Sequence, residues 1–328
     1  MTGAPLVSIE NLTISLPARD GSRLFPVRDV SLSIAPGEIL GLAGESGSGK
    51  TITALSLLGL LPPGGRMSGH IHFDGKDLLT LPPREISAIR GRDIAMVFQD
   101  PMTALHPMLS IEKQMTEHLR HHRGVDAAAA RARAIELLDL VRIPNAAQAL
   151  KRFPHQFSGG MRQRIAIAIA LCCGPRLLIA DEPTTALDVT VQAGILRLLQ
   201  QLRTELGLSV LLITHDMGVM SALTDRVAVM YAGRVVEEGG RQAVLQTPRH
   251  PYTHGLLQAL PHERGDDMLL TPLQGSPPAI GALPPGCPFN PRCAWAEGRC
   301  REAEPVLRAV EAQRSIACVV DPLVKVPA

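Results

Sequence analysis

The residues that carry the clearest chemistry form one run near the start of the chain. In order they are Gly44, Glu45, Ser46, Gly47, Ser48, Gly49, Lys50 and Thr51, which fits the phosphate-binding pattern G-x-x-x-x-G-K-[ST]. Glycines allow backbone N–H groups to point at phosphate oxygens, and a helix that follows adds the positive end of its dipole. Lys50 would supply a cation to the outer phosphates, and Thr51 a hydroxyl ligand for Mg²⁺.

The segments on either side of this run are the ones that the motif requires. Residues 39–43 are a short apolar stretch typical of a buried strand, and residues 52–58 are typical of a helix. A glycine-rich turn that arose by chance would not need this context. The strand and the helix therefore favour a phosphate-binding loop.

Two adjacent carboxylates end a second apolar stretch. Residues 177–180 predict a buried strand, and Asp181 and Glu182 follow it directly. Opposite a phosphate loop, Asp181 would hold Mg²⁺, directly or through water, and Glu182 would polarise an attacking water. An ordinary strand end is the alternative interpretation, because acidic residues are frequent in turns.

A third motif combines a serine with two glycines. Ser158, Gly159 and Gly160 offer a hydroxyl and bare N–H groups at a predicted helix start, which is an anion site. Residues 165–170 alternate with a period of two, which is typical of a strand. The alanine content and the glycine start nevertheless lead us to predict a helix.

Taken in order, these motifs resemble the ATP-binding subunits of ABC transporters. Residues 158–160 resemble the signature motif, 98–101 the Q-loop, 186–188 the D-loop and 214–216 the switch-histidine segment. The resemblance covers residues 5–245 without a gap. The single residues that match the family are Lys50, Gln99, Ser158, Gly159, Gly160, Asp181, Glu182, Asp188 and His215.

The resemblance implies a role for each motif in ATP hydrolysis. Residues 44–51 would cradle the phosphates, while Gln99 and Asp181 would join Thr51 in the Mg²⁺ and water shell. Glu182 would be the general base, and His215 would bridge it to the γ-phosphate. The implied catalytic group is thus Lys50, Gln99, Glu182 and His215.

The family also implies a head-to-tail pair of nucleotide domains with ATP between them. Ser158, Gly159 and Gly160 would contact the γ-phosphate held by the partner chain, and Asp188 would lie at the same interface. The family usually stacks adenine on an aromatic residue near the end of the first strand. Residues 13–16 contain none, so Phe25 is the candidate substitute.

The resemblance and the hydrophobic patterns together predict an α/β phosphate-loop ATPase fold of the ABC type. Residues 1–36 are predicted as an antiparallel β subdomain, and residues 101–175 as a helical signature subdomain. Continuous apolar strands that alternate with helices predict a mainly parallel sheet covered on both faces. We expect a nucleotide-binding domain over residues 1–245 and a loop-rich, proline-interrupted extension over residues 246–328.

The extension resembles the C-terminal region of the oligopeptide/dipeptide importer branch, at residues 247–254 and 286–293. Within that branch, methionine after Ser-Gly-Gly resembles the D-type subunit. The extension also carries four cysteines, Cys287, Cys293, Cys300 and Cys318. Zinc, a 4Fe–4S cluster and unligated thiols all stay open, although the wide spacing and the branch resemblance favour the cluster.

Composition limits the classes of function. The chain has 328 residues, 33 basic and 31 acidic, and only 3% aromatic residues. These values argue against nucleic acid as a main partner, which would need a cationic face or stacking platforms. No run reaches the ~18 apolar residues of a spanning helix, and residues 1–5 show no signal sequence. We therefore expect a soluble chain that docks on membrane proteins.

The predicted function is that of an ATP-hydrolysing, energy-coupling subunit of a di- or oligopeptide importer. The resemblance implies a second, related but non-identical ATPase chain, two transmembrane permease subunits and, indirectly, a substrate-binding protein. The expected location is peripheral, at the cytoplasmic face of the cell membrane. An importer for nickel or another small solute, and a soluble ABC ATPase outside transport, are the alternatives.

Overall fold

The computed structural model describes residues 4–100, 104–185, 187–259 and 273–320. Their contacts divide into two compact units, each described here by itself. The first unit takes its described residues from 1–34, 39–79 and 214–328, and the second takes them from 35–38 and 80–213. No helix among the described residues is both long enough and apolar enough to cross a membrane.

The strands of the described residues are numbered in chain order. They are β1 (Val7–Pro17), β2 (Arg23–Ile34), β3 (Ile39–Ala43), β4 (Arg66–Phe73), β5 (Lys76–Asp77), β6 (Ile94–Val97), β7 (Leu177–Asp181), β8 (Ser209–Ile213), β9 (Arg226–Tyr231), β10 (Arg234–Gly240), β11 (Arg308–Glu311) and β12 (Arg314–Ile316).

The helices are numbered in the same way. They are α1 (Lys50–Leu57), α2 (Pro83–Ile89), α3 (Ile111–Arg123), α4 (Ala127–Leu140), α5 (Ala146–Ala149), α6 (Gly159–Ala170), α7 (Val189–Leu206), α8 (Met217–Leu223), α9 (Arg241–Gln246) and α10 (Pro251–Gln258).

An antiparallel sheet of the first unit has the order β2-β1-β4-β5. The alternation in β1 places Val7, Ile9, Leu12 and Ile14 inside, because one face of the sheet packs on the core. The predicted strands at 7–14 and 28–34 are thus confirmed.

A second set of strands in the first unit has the order β11-β12-β10-β9-β3. β3 pairs parallel with β9, whereas β9 and β10 form an antiparallel hairpin. Ala232 and Gly233 at its tip have φ values of 45° and 83°, as a two-residue hairpin turn requires. The hairpin predicted with these two residues at its tip is confirmed.

The second unit contains the parallel strands β8, β7 and β6 in that order. Every residue of β7 and β8 is buried, which explains their continuous apolar sequence. Helices α3 to α6 supply the helical part predicted within residues 101–175, of which residues 101–103 lie outside the described residues. The segment with a period of two is helical, as predicted. Its burial on more than one side of α6 explains why its apolar residues do not follow a helical period.

The described part of the extension lies in the first unit, together with residues 1–34 and 39–79. Its buried aromatic rings Tyr252 and Phe289 pack against Tyr231 of β9. Arg314 forms an ion pair of 2.7 Å with Glu237 of β10, and both side chains are almost fully buried. A domain boundary near residue 245 stays a prediction.

Candidate functional site

The phosphate-loop residues form a tight turn between β3 and α1. Gly44, Gly47 and Gly49 have φ values of 144°, 79° and 106°, which only glycine adopts readily. The Lys50 ammonium donates hydrogen bonds to the carbonyl oxygens of Gly44 at 2.7 Å and Glu45 at 2.8 Å. The lysine therefore closes the loop into a ring, with its cation held inside the loop.

Neighbouring backbone fixes the loop from outside. Gly233, at the β9–β10 hairpin tip, donates its N–H to the Ser48 carbonyl at 3.0 Å. A Cβ on Gly49 would lie 2.6 Å from the Pro26 carbonyl oxygen, and one on Gly44 would collide with the Met230 carbonyl. The loop can approach both strands this closely because these positions lack side chains.

The start of α1 presents the residues expected to meet phosphate and metal. Thr51, Ser46 and Gly47 are exposed, while Lys50 and Ser48 are buried. Gly49 occupies the position before α1, and no side chain caps that helix start. A helix start without a side-chain cap, at the positive end of the helix dipole, favours an anion at this end.

Glu45 connects the loop to the extension, and sequence reasoning missed this contact. Its N–H donates to the Tyr252 hydroxyl at 2.8 Å. Its carboxylate accepts two hydrogen bonds from the Arg292 guanidinium, at 2.7 and 2.9 Å. No local sequence signal predicts a pair separated by 247 positions. The one sequence feature that could have indicated the contact was the charge of Arg292 inside a cysteine-rich turn.

The second unit carries the acidic strand end. Asp181 is the last residue of β7 and is buried. Glu182 follows with φ 46°, and its N–H donates to the Ile213 carbonyl at 2.8 Å. Its Oε2 accepts hydrogen bonds from Gln99 Nε2 at 3.0 Å and from Thr185 Oγ1 at 2.8 Å. The Q-loop glutamine and the proposed base are thus direct neighbours.

The signature motif begins α6. Ser158 is its N-cap, and the serine hydroxyl accepts from the Met161 N–H at 3.4 Å. A Cβ on Gly160 would collide with Val191 of α7, so the glycine allows the two helices to pack closely. Asp188 caps the start of α7 by accepting from the Val191 N–H at 2.9 Å.

The remaining predicted residues lie in the first unit. His215 is exposed just after β8, and Asp216 caps α8 with hydrogen bonds to the N–H groups of Gly218 and Val219. Phe25, the candidate for adenine stacking, is an exposed ring in β2. Ala186, in the D-loop match, lies outside the described residues.

The predicted residues divide into two sets, one per unit. The first unit holds residues 44–51, Phe25 and His215, together with the extension cysteines Cys287, Cys293, Cys300 and Cys318. The second-unit set consists of Gln99, Ser158, Gly159, Gly160, Asp181, Glu182 and Asp188.

One further group of potential metal ligands occurs among the described residues. The ligand atoms of His70, His72 and Asp77 all lie within 4.8 Å of one another at the surface. His70 Nδ1 and Asp77 Oδ2 are 2.8 Å apart, and the hydrogen bond to Asp77 raises the pKa of His70. This ion pair, together with the pairing of β4 and β5 that sets His72 opposite Asp77, accounts for the closeness of the group.

A glycine turn closed by a lysine, together with an acidic strand end bonded to a glutamine, defines a phosphate-loop nucleoside triphosphatase. Comparison with known proteins agrees. Residues 27–185 match the ABC transporter family, and residues 236–300 match the oligopeptide/dipeptide transporter C-terminal region.

Relatives resemble almost the whole chain. The oligopeptide transport ATP-binding protein OppD of Salmonella typhimurium is 46% identical over 315 residues, covering 95% of this chain and 93% of that protein. The dipeptide transport ATP-binding protein DppD of Bacillus subtilis is 49% identical over 290 residues, covering 88% and 86%.

Solved structures agree on the fold. The dimeric structure of a bacterial ABC transporter cassette matches with a TM-score of 0.63 and 30% identity, over 72% of this chain and 98% of that one. The structure of cbiO1 from Clostridium perfringens, part of the ABC transporter complex cbiONQ, matches with a TM-score of 0.64, 28% identity and coverages of 75% and 92%. The chain belongs to the ABC transporter ATP-binding proteins of the oligopeptide/dipeptide branch. It is an ABC-type ATPase, and the predicted fold class is confirmed.

Proposed function

We propose that this ATPase powers the import of di- and oligopeptides. The observation that carries the proposal is the match to peptide transport ATP-binding proteins, which extends through the C-terminal extension as well as the cassette. The extension itself matches the oligopeptide/dipeptide transporter C-terminal region over residues 236–300, which supports a role in transport.

The proposed site chemistry assigns a role to each of these side chains. Residues 44–51 would hold the triphosphate through N–H groups, Lys50 would neutralise the outer phosphates, and Thr51 would be a ligand of Mg²⁺. Asp181 and Gln99 would complete the shell of the metal and the water. Glu182 accepts the proton of the attacking water, and Gln99, bonded to the same carboxylate at 3.0 Å, orients that water.

The proposed assembly contains two ATPase chains that bind ATP between them. Ser158, Gly159 and Gly160 present an exposed hydroxyl and helix-start N–H groups, which suit the γ-phosphate on the partner chain. His215, exposed after β8, would bridge Glu182 and the γ-phosphate of the ATP held by residues 44–51. A related, non-identical ATPase is the expected partner. The conformational change of the ATPase pair would be transmitted to two permease subunits in the membrane. A substrate-binding protein would deliver the peptide to them.

The location follows from this assembly. The chain would sit peripherally at the cytoplasmic face of the cell membrane, held by contacts with the permease subunits. ATP binding would close the ATPase pair, and this movement would be transmitted through the Q-loop region and the helices α3 to α6 to the membrane helices.

The extension adds a candidate cofactor site. Cys287, Cys293, Cys300 and Cys318 line one small cavity, and the last two are buried. Burial raises the pKa of Cys287 to about 11 and of Cys293 to about 12. Thiolates here would therefore need the positive charge of bound metal. These four thiols would hold a 4Fe–4S cluster, which supplies a rigid cross-link and a redox-active centre.

The spacing of these cysteines along the sequence favours the cluster over zinc. The gaps of five, six and seventeen residues between them are wider than the C-x₂₋₄-C spacing that is usual in zinc sites. Iron and acid-labile sulfide analysis after anaerobic purification tests this point, and stoichiometric zinc in a colourless protein would refute it.

Transport itself is tested in cells that lack the gene. Wild-type chain should restore growth on a peptide as the sole source of a required amino acid, and Glu182→Gln should not. Affinity purification should recover the second ATPase and both permease subunits. Restored uptake of nickel or another small solute, with no peptide uptake, would contradict the substrate assignment.

A further inference from the structure

Two side chains of the extension, Tyr252 and Arg292, contact the phosphate loop at Glu45. The resemblance to the family gives neither of them a role. We propose that Arg292 and Tyr252 are positioning residues that hold Glu45, and with it the phosphate loop, in the shape that binds ATP. The inference takes residues 44–51 as the nucleotide site.

Glu45 is tied at every polar group. Its N–H donates to the Tyr252 hydroxyl at 2.8 Å, and its carbonyl accepts from Lys50 Nζ at 2.8 Å and from the Ser48 N–H at 3.2 Å. Its carboxylate is bound by Arg292. Two of these contacts are internal to the loop, and the other two come from the extension. Tyr252 and Arg292 therefore fix the backbone and the side chain of Glu45 at the start of the loop.

Arg292 is held rigidly in this position. Its Nε donates to the Gln274 carbonyl at 2.9 Å, and Nη1 lies 3.3 Å from the Tyr231 hydroxyl. The guanidinium carbon is 5.8 Å from the Tyr231 ring centre and 5.9 Å from that of Phe289. The side chain is only 5% exposed, and the hydrogen bond to Glu45 raises the pKa of Arg292 above its usual range. A guanidinium group that is fixed and permanently charged at this site determines where the Glu45 carboxylate lies.

Tyr252 is equally constrained. Its ring is fully buried, 4.5 Å from the Tyr231 ring centre and 5.4 Å from that of Phe289. Burial raises the pKa of the Tyr252 hydroxyl, so this acceptor stays neutral at physiological pH. The Glu45 N–H thus serves as an anchor instead of a phosphate ligand, and the amides further along the loop remain for the nucleotide.

Arg292 also has an electrostatic role. A bare carboxylate within the phosphate loop would repel the triphosphate, and the bidentate guanidinium neutralises that charge. The effect of Arg292 on ATP binding can therefore be separated from its effect on the stability of the fold. Removing the charge of Glu45 should restore ATP binding that is lost when Arg292 is removed.

The test measures equilibrium binding of Mg²⁺ with a non-hydrolysable ATP analogue to the full-length chain, together with the midpoint of thermal unfolding without nucleotide. Arg292→Gln should weaken binding on the order of tenfold, and Arg292→Lys should restore part of that loss. Tyr252→Phe, which keeps the ring, should weaken binding several-fold. Arg299→Gln is the matched control, because Arg299 pairs with Glu297 in the same extension and is exposed.

A double variant separates positioning from folding. Arg292→Gln combined with Glu45→Gln should bind the analogue more tightly than Arg292→Gln alone, since the unpaired charge is gone. If Arg292→Gln fails to fold, Tyr252→Phe and Arg292→Lys still decide the question.

Two outcomes would overturn the proposal in distinguishable ways. Binding within about twofold of wild type in Arg292→Gln and Tyr252→Phe, with binding lost in Lys50→Ala, would refute the positioning role alone. Unchanged binding in Lys50→Ala would show that the nucleotide binds elsewhere, which refutes the site as well.

Discussion

Gln99 Nε2 donates a hydrogen bond of 3.0 Å to Glu182 Oε2, although 83 positions separate the two residues. The bond joins the Q-loop, which follows β6, to the residue that follows β7. Because these strands are parallel neighbours, their carboxyl ends meet at one edge of the sheet. The contact places a neutral amide and a carboxylate side by side at this edge.

The first prediction concerns Glu182. Glu182→Gln keeps the size and the hydrogen-bonding oxygen but removes the proton acceptor, so phosphate release should fall at least about 100-fold. Affinity for Mg²⁺ and a non-hydrolysable ATP analogue should stay near that of wild type. Undiminished hydrolysis would contradict the assignment of Glu182 as the base.

The second prediction concerns the two glycines of the signature motif. A Cβ on Gly160 would collide with Val191, whereas one on Gly159 would meet Leu187 Cδ2 at 3.7 Å, an ordinary contact. Gly160→Ala should therefore lower the free energy of unfolding by about 1–3 kcal/mol, and Gly159→Ala should change it little. Urea denaturation of both variants provides the comparison, with Gly159→Ala as the matched control.

A compensating change checks the cause of that loss. Val191→Ala removes the methyl groups that a new Cβ on Gly160 would meet, so the double variant should be more stable than additivity predicts. Strict additivity of the two changes would argue that the cost of Gly160→Ala arises elsewhere.

The third prediction is a dependence of stability on pH. His250 is buried as the N-cap of α10, and its Nδ1 accepts from the Tyr252 N–H at 3.1 Å. Burial lowers the pKa of His250 from 6.5 to about 4. Below pH 6.5 the unfolded chain therefore takes up a proton that the folded chain does not. The stability of the wild type should fall between pH 6.5 and 4, by about 3 kcal/mol for this group.

A variant without a titrating group isolates this effect. Asparagine can accept the same N–H but does not titrate, so His250→Asn should show a shallower fall in stability over that range. Chemical denaturation at pH 7.5 and 5 measures the difference. His106→Asn, at an exposed position, is the control. Parallel pH curves for wild type and His250→Asn would contradict the mechanism.

Motif spacing predicted most of the elements around the nucleotide loop, because each depends on short-range pattern. The strand at 39–43, the helix that follows the loop and the 232–233 hairpin all occur. The helix at 165–170 shows the limit of periodicity. Its alternation of isoleucine and alanine has the period of a strand, and the alanine content and the glycine start indicated the correct structure.

Contacts between distant segments could not be predicted in this way. Glu45 occupies a variable position of the loop pattern, so its type carried no signal. Its partners, Tyr252 and Arg292, lie in a segment whose prolines indicated only irregular structure. Which arginine meets which carboxylate depends on how the aromatic rings of the extension pack on Tyr231, and that is a property of the folded chain.

The packing of the extension on Tyr231 limits how this protein can be rearranged. Arg28 and Arg234 both direct their guanidinium groups to Glu304, in addition to the links at Glu45 and Glu237. A cassette transplanted without its own tail would display an apolar ring surface and unmatched charges beside the nucleotide. Tail exchange between related ATPases should therefore succeed only when the acceptor already carries the complementary carboxylates and arginines.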